Sequence, residues 1–169
     1  MPVLDPDQLL EQADRLVAST GGGTPRQVDL RRAISNAYYA LFHAVTAEAA
    51  DDLVGRTHRH TPRYQLVYRS VEHKSLLRLC EDIGKTTLPA RYSDYEPPGG
   101  FGPDLQFFAD AVVDLQEKRH LADYDPLFRV TKSDAILAVE KGRAALARFS
   151  AASRIPRRAF LCLVLFSPR

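Results

Sequence analysis

Apolar side chains recur at intervals of three and four along most of this chain, which is the spacing of amphipathic α-helices. Alternating β-branched runs and Asn-Gly turns, the signals of strands and hairpins, do not occur in the sequence. A first helix is predicted to begin at Asp5 and Pro6 and to end at the glycines 21–23. Four more helices are predicted, near 25–53, near 62–83, from Asp104 to Pro126, and from the segment TKSD at 131–134 through Phe149. The pattern therefore predicts an all-α fold, a four- to five-helix up-and-down bundle.

Residues 1–153 are predicted to form this helical domain, and residues 154–169 form a basic and apolar tail. The spacing of apolar residues does not show whether this tail is ordered. The tail has arginines followed by the apolar run AFLCLVLF at 159–166, and Pro156 separates it from the last predicted helix. Docking on the bundle, pairing with a partner and disorder all remain open for it. A membrane span needs about 20 apolar residues, so the run is too short and we expect no membrane association.

Composition places the chain among ordinary globular proteins, with 169 residues, 45% of them hydrophobic and 26% charged. A net charge of +2 is too small to indicate nucleic-acid binding, so any electrostatic argument depends on local clusters. Cys80 and Cys162 have no CxxC spacing and are too few for a disulfide framework, which suits a reducing compartment. The acidic N-terminus lacks the basic segment and apolar run of a signal peptide. We therefore expect a cytoplasmic protein.

One face of the second predicted helix carries polar side chains beside the apolar stripe. Arg32, Asn36, Tyr39 and His43 follow one another at steps of four, three and four, so they form a single ridge. Such a ridge is either a solvated helix face, which every surface helix has, or the wall of a binding groove. The helix is long and its ridge holds few charges for a face in contact with solvent, which favours the groove.

The fourth predicted helix places one charge, Arg119, on its apolar stripe. An unpaired buried guanidinium is very unfavourable, so Arg119 must be paired or must reach a cleft. Asp123, four residues on, is a suitable partner, and a local salt bridge alone would make Arg119 structural. If Arg119, Asp123 and Tyr124 instead face the ridge of the second helix, the two helices enclose a polar groove.

Two segments resemble the HEPN superfamily (higher eukaryotes and prokaryotes nucleotide-binding). RRAISNAYYALFHA at 31–44 is similar to its RAYYAxFHA helix, and RHLADYD at 119–125 is similar to its late-helix RxxADYD pattern. The resemblance covers residues 5–152 and implies a helical bundle that dimerises. Such proteins often stand beside a minimal nucleotidyltransferase in bacterial toxin–antitoxin or defence systems, so the resemblance implies a homodimer and a nucleotidyltransferase partner.

Many HEPN proteins are metal-independent ribonucleases, with a site made by an R-x4-6-H motif that is doubled across the dimer. Arg119 matches the arginine of that motif, which the resemblance implies to bind the RNA phosphate. Asp123 and Tyr124 stand where the histidine would be sought, and none of the five histidines has an arginine five to seven residues before it. Ribonuclease activity would therefore need His43 or His120 in place of the usual histidine.

Three functions are open at this point. The first, which the missing motif favours, is a binding module that holds RNA or a nucleotide in the groove and works with a nucleotidyltransferase or another defence partner. The second is a metal-independent endoribonuclease that uses Arg119 with His43 or His120. The third is a structural interaction module whose groove is a satisfied polar core. The residues predicted to bind RNA or a nucleotide are Arg32, Asn36, Tyr39, Arg119, Asp123 and Tyr124.

Other clusters change this interpretation little. The segment 56–74 combines five Arg and Lys residues with Tyr64 and Tyr68, a composition that either contacts RNA or forms a solvated basic surface. No G-x-G-x-x-G, Walker or G-x-S-x-G motif occurs, so we expect no cofactor. We also expect no metal, because the usual zinc-ligand spacing is missing among His58, His60, His73 and Cys80.

Overall fold

The computed structural model describes residues 3–18 and 23–168 of the chain. All regular structure in these ranges is helical, without a strand, and the predicted all-α bundle is confirmed. Two short 3₁₀ helices, Arg56–His58 and Ala90–Tyr95, lie in connecting segments. The described residues form seven α-helices rather than five: α1 (Pro6–Val17), α2 (Gln27–Leu53), α3 (Pro62–Ser70), α4 (His73–Ile83), α5 (Gly102–Tyr124), α6 (Lys132–Ala151) and α7 (Arg154–Leu165).

Helix α2 is the centre of the fold and packs against α1, α3, α5, α6 and α7. It is apolar around most of its circumference, as a helix enclosed by others must be. The predicted stripe is buried, because Leu30, Ile34, Leu41 and Val45 each keep at most 2% of their accessible surface. Alanines occupy many of the remaining buried positions and let neighbouring helices approach closely.

The capping residues account for two of the predicted helix starts. Asp5 accepts a hydrogen bond from the backbone N–H of Asp7 at 3.0 Å, at the start of α1. Thr131 and Asp134 form a reciprocal capping box at the start of α6. Of the glycines predicted to end α1, residues 21 and 22 lie outside the described ranges.

The start of α5 differs from the prediction by two residues. The helix begins at Gly102, and Pro103 supplies the fixed φ that suits a first turn. Asp104, the predicted start, lies inside this turn and makes no capping bond. Its carboxylate instead accepts a hydrogen bond from Arg148 at 2.9 Å, which ties α5 to α6.

The single helix predicted near 62–83 is two helices, α3 and α4, because the backbone is extended at Val71. The hydroxyl of Ser70 donates to the carbonyl of Val67 at 2.7 Å, a local bond that competes with continuation of the helix. Val71 is itself buried, so the apolar periodicity continues across the break and conceals it. The break lets α4 take its own direction and brings His73 against α2.

The C-terminal segment forms α7, which packs against α2, α4 and α5. Phe160 is fully buried, with its ring centroid 6.0 Å from that of Phe108 and 6.2 Å from that of Phe149. Arg157 donates to the carbonyl of Ser150 at 3.0 Å, near the end of α6. Of the three alternatives for this tail, docking on the bundle is the one observed for its described residues. None of the described helices is both long and apolar enough to cross a membrane.

Gly142 of α6 provides a test of this packing. A Cβ atom there would lie 3.4 Å from the Cβ and the carbonyl oxygen of Ala37 and 3.4 Å from Cδ2 of Leu10. We expect Gly142→Leu to overpack the junction of α1, α2 and α6 and to lower the free energy of unfolding by about 1–3 kcal/mol in urea titrations. Ala144→Leu, at an exposed position of the same helix, is the matched control and should change it by less than about 0.5 kcal/mol. Equal losses in both variants would contradict the described packing.

Candidate functional site

Helices α2 and α5 are joined by Arg31, near the start of α2. Its guanidinium donates to four backbone carbonyls at and beyond the end of α5, those of Ala122 (3.4 Å), Asp125 (2.9 Å), Pro126 (3.3 Å) and Phe128. The last carbonyls of a helix have no partner within it, and a cation placed there also interacts favourably with the helix dipole. Arg31 therefore caps α5 and holds the segment that leads to α6.

A second set of contacts between the same helices centres on Asp123. The buried hydroxyl of Ser35 donates to Oδ1 of Asp123 at 2.6 Å. The other oxygen, Oδ2, is 2.9 Å from Nε of Arg119, but this N–H makes no hydrogen bond within the described residues, so the contact is ionic only. Nη2 of Arg119 donates instead to the hydroxyl of Tyr39 at 2.6 Å. The arginine on the apolar stripe is thus held by groups of both helices.

Three tyrosine rings surround the guanidinium of Arg119. Its central carbon is 5.2 Å from the ring centroid of Tyr39, 5.6 Å from that of Tyr124 and 5.8 Å from that of Tyr38, within the range of cation–π interactions. The side chain keeps 15% of its accessible surface. Burial alone would lower the pKa of Arg119, but the hydroxyl of Tyr39 and the carboxylate of Asp123 hold that pKa above its usual value. Arg119 is therefore a fixed cation between α2 and α5.

Two histidines form hydrogen bonds with tyrosines beside this cation. Nδ1 of His73 is 2.7 Å from the hydroxyl of Tyr38, and Nδ1 of His43 is 2.7 Å from the hydroxyl of Tyr68. The ring of His73 also stacks on Phe42, with the two ring centroids 3.7 Å apart. Burial lowers the pKa of both histidines, so both rings are neutral near neutral pH.

The predicted ridge of α2 does not face α5 as a unit. Asn36 is buried and donates to Oε1 of Gln12 at 2.9 Å, so it belongs to the contact between α2 and α1. Tyr39 is the ridge residue that bonds to Arg119, and His43 lies against α3. Because five helices surround α2, successive positions along one face of it meet different neighbours.

The residues predicted for ribonuclease chemistry do not share a hydrogen-bond network. His120 is exposed, and its ring centroid lies 5.0 Å from that of Tyr124. His43 bonds to Tyr68 of α3. Among the described residues, neither histidine is hydrogen-bonded to Arg119.

Arg32, Asp123 and Tyr124 line one cleft, between the start of α2, the end of α5 and the segment that follows α5. Its volume is about 760 Å³, and Arg129 from the connection to α6 also lines it. Tyr124 keeps 64% of its accessible surface. The cleft therefore combines exposed guanidinium groups with an exposed aromatic ring.

The acids of this cleft are bonded to other protein groups. Asp29 accepts from Arg26 at 2.9 Å, and Asp123 is held as described above. Arg32 and Arg129, both exposed, have no ion-pair partner in the part of the chain that the structure describes. The cleft thus keeps a local positive charge although the whole chain is nearly neutral.

Three of these residues were missed at the level of sequence, namely Arg31, Ser35 and Arg129. Arg31 and Ser35 are four residues apart, so their shared helix face was visible, but nothing in the sequence shows which face of α2 meets α5. Arg129 lies in a short irregular connection, where no periodicity indicates the direction of a side chain.

The residues that the structure describes contain no group of three His, Cys, Asp or Glu side chains placed to hold a metal ion. No protein-family model matches the chain, and no curated protein or solved structure is detectably similar to it. The contacts described above are therefore the observations from which a function is argued.

Arg119→Ala tests whether this arginine anchors the two helices. The change removes a charged hydrogen bond to Tyr39 and the ionic partner of Asp123, so we expect the free energy of unfolding to fall by about 1–3 kcal/mol in urea titrations. Lys118→Ala is the matched control, because the neighbouring ammonium pairs with Asp114 at the surface and such pairs contribute about 0–1 kcal/mol. An unchanged stability of Arg119→Ala would contradict the anchoring role.

His73 is expected to make stability depend on pH. Burial, Arg119 and His43 lower its pKa from the usual 6.5, so the unfolded chain takes up a proton at a higher pH than the folded protein does. The contribution of His73 to the free energy of unfolding is therefore complete above about pH 6.5, and it is lost as the pH falls below that value towards the lowered pKa. As the pH is lowered from about 7.5 to about 5, the urea midpoint should decrease. The decrease should be smaller in His73→Gln than in the wild type. His60→Gln, at an exposed position, is the control, and its urea midpoint should decrease with pH as much as that of the wild type. An equally large decrease in His73→Gln would contradict the assignment to His73.

Proposed function

We propose that this protein binds RNA or a nucleotide in the cleft between α2 and α5. The observation that carries the proposal is the pairing pattern of the cleft: its acids are bonded to protein groups, whereas Arg32 and Arg129 are exposed and without carboxylate partners among the described residues. Guanidinium groups of this kind bind phosphate oxygens through paired, charge-assisted hydrogen bonds. In the proposal, these two arginines contact the phosphates.

Tyr124 supplies the contact to a base. Its ring is exposed, and the guanidinium of Arg119 lies 5.6 Å from the ring centroid and restrains it. A base stacked on such a ring gains about 1–3 kcal/mol with little preference for sequence. The ring of His120, 5.0 Å away, extends the same aromatic surface.

Of the remaining predicted binding residues, Tyr39, Arg119 and Asp123 have supporting roles in this proposal. Asn36 takes no part, because its amide is bonded to α1. The end of α5, and with it Tyr124, is positioned by a group that spans both helices: Tyr39, Arg119, Asp123 and the unpredicted Arg31 and Ser35.

The resemblance to the HEPN superfamily supplies the biological setting that we propose. In that setting the chain is a cytoplasmic, homodimeric HEPN-like module of a bacterial toxin–antitoxin or defence system, with a nucleotidyltransferase-type partner. The two segments that carry the resemblance lie on α2 and α5, the helices that enclose the cleft. We propose binding rather than cleavage, because Arg119 is held by Tyr39 and Asp123 and no histidine bonds to it within the described residues.

Fluorescence anisotropy with a labelled single-stranded RNA, and competition by AMP, tests this proposal. Arg32→Gln and Arg129→Gln should each weaken RNA binding and reduce the slope of log K against log salt by about 0.7, the loss of one phosphate contact. Tyr124→Ala should weaken binding by about 1–3 kcal/mol, whereas Tyr124→Phe, which keeps the ring, should bind like the wild type.

Arg78→Gln, an exposed cation on α4 outside the cleft, is the matched control and should leave binding and salt slope unchanged. The RNA should remain intact throughout. Wild-type protein that does not bind RNA or AMP, or cleft variants that bind like Arg78→Gln, would contradict the proposal. RNA cleavage that is lost in His120→Ala would favour the ribonuclease alternative instead.

A further inference from the structure

A second cavity, of about 400 Å³, lies against α3 and shares no lining residue with the α2–α5 cleft. Its walls are aromatic: the rings of Tyr64 and Tyr68 are stacked with centroids 6.2 Å apart, and those of His43 and Tyr68 with centroids 6.0 Å apart. The apolar side chains of Val3 and Leu4 also line it. A volume of this size with mostly aromatic and apolar walls is typical of small-molecule sites.

His43 lines this cavity and contacts Tyr68 through Nδ1 of its ring. Burial raises the pKa of Tyr68, so its hydroxyl stays protonated and can donate to Nδ1 of His43, 2.7 Å away. A neutral histidine whose Nδ1 accepts a hydrogen bond carries its proton on Nε2. Nε2 has no partner among the described residues and is not one of the buried unpaired atoms, so it is open to a ligand.

Arg69 adds an uncompensated cation to the same cavity. It is exposed on α3 and has no ion-pair partner in the ranges that the structure describes. The other arginine of the cavity, Arg59, is neutralised by Asp51, to which its Nε donates at 2.8 Å. No carboxylate is among the described residues that line the cavity.

From this combination we infer that the cavity binds a planar aromatic ligand that carries one anionic group. The ring lies against Tyr68 and His43, and the anion accepts hydrogen bonds from Arg69 and from Nε2–H of His43. A cationic ligand is repelled by Arg69, and a neutral one forgoes the charge-assisted contact. The inference does not depend on RNA binding in the other cleft, and it explains the mixture of arginines and tyrosines in the segment 56–74.

Calorimetric titration of the full chain with benzoate, phenyl phosphate and neutral benzyl alcohol tests the inference. At least one of the two anions should bind more tightly than the alcohol, and their order tells a carboxylate ligand from a phosphate ligand. Arg69→Gln should weaken anion binding by about tenfold or more, the value of a charged hydrogen bond, and leave the affinity for benzyl alcohol unchanged.

Arg63→Gln, an exposed cation of the same helix that does not line the cavity, is the matched control and should bind all three probes like the wild type. Arg32→Gln, in the α2–α5 cleft, should also leave binding of the three probes unchanged. Failure of this inference can therefore be distinguished from failure of the proposed RNA or nucleotide binding. The inference is overturned if neither anion binds the wild type at about 1 mM, or if Arg69→Gln and Arg63→Gln weaken anion binding equally.

Discussion

The arrangement of α2 and α5 depends first on Arg31. A helix that ends within a bundle leaves its last carbonyls without partners, and burying such groups unpaired is unfavourable. Arg31 supplies donors to them from the neighbouring helix and continues to the carbonyls of the segment that follows. This side chain therefore holds the end of α5 and the turn towards α6 against α2. Together with the hydrogen bonds of Ser35 to Asp123 and of Arg119 to Tyr39, it positions Asp123 and Tyr124.

Two classes of arginine in this protein underlie both functional proposals. Arg31 and Arg119 are partly buried, and protein groups accept their hydrogen bonds. Arg32, Arg129 and Arg69 are exposed beside cavities and have no ion-pair partner among the described residues. The first class holds the helices together, because a buried cation requires local partners. The second class is available to anions.

Periodicity was sufficient for most helices, because burial of one face leaves a repeat of three and four residues in the sequence. It failed at Val71, which is apolar and buried although the helix stops there. It also failed in α7, where the apolar run shows no polar alternation, although Cys162 is exposed within it.

The site was predicted less completely than the fold, because neighbouring residues of a helix point about 100° apart and small rotations change their partners. The contact between Arg119 and Asp123 was predictable from their helical spacing alone, and the structure has that contact. The sequence does not show whether Arg31 or Arg32 faces α5, because this depends on how α2 is rotated about its own axis in the bundle. The same rotation places Asn36 against α1. Whether these contacts serve RNA binding stays a prediction.

The most direct test of the account is an NMR titration of ¹⁵N-labelled protein with a short single-stranded RNA. The account predicts that the largest shifts of backbone amides fall on residues 122–130 and on the first two turns of α2, with little change around α7. No shifts at all, or shifts concentrated at the cavity beside α3, would contradict an RNA site formed by α2 and α5.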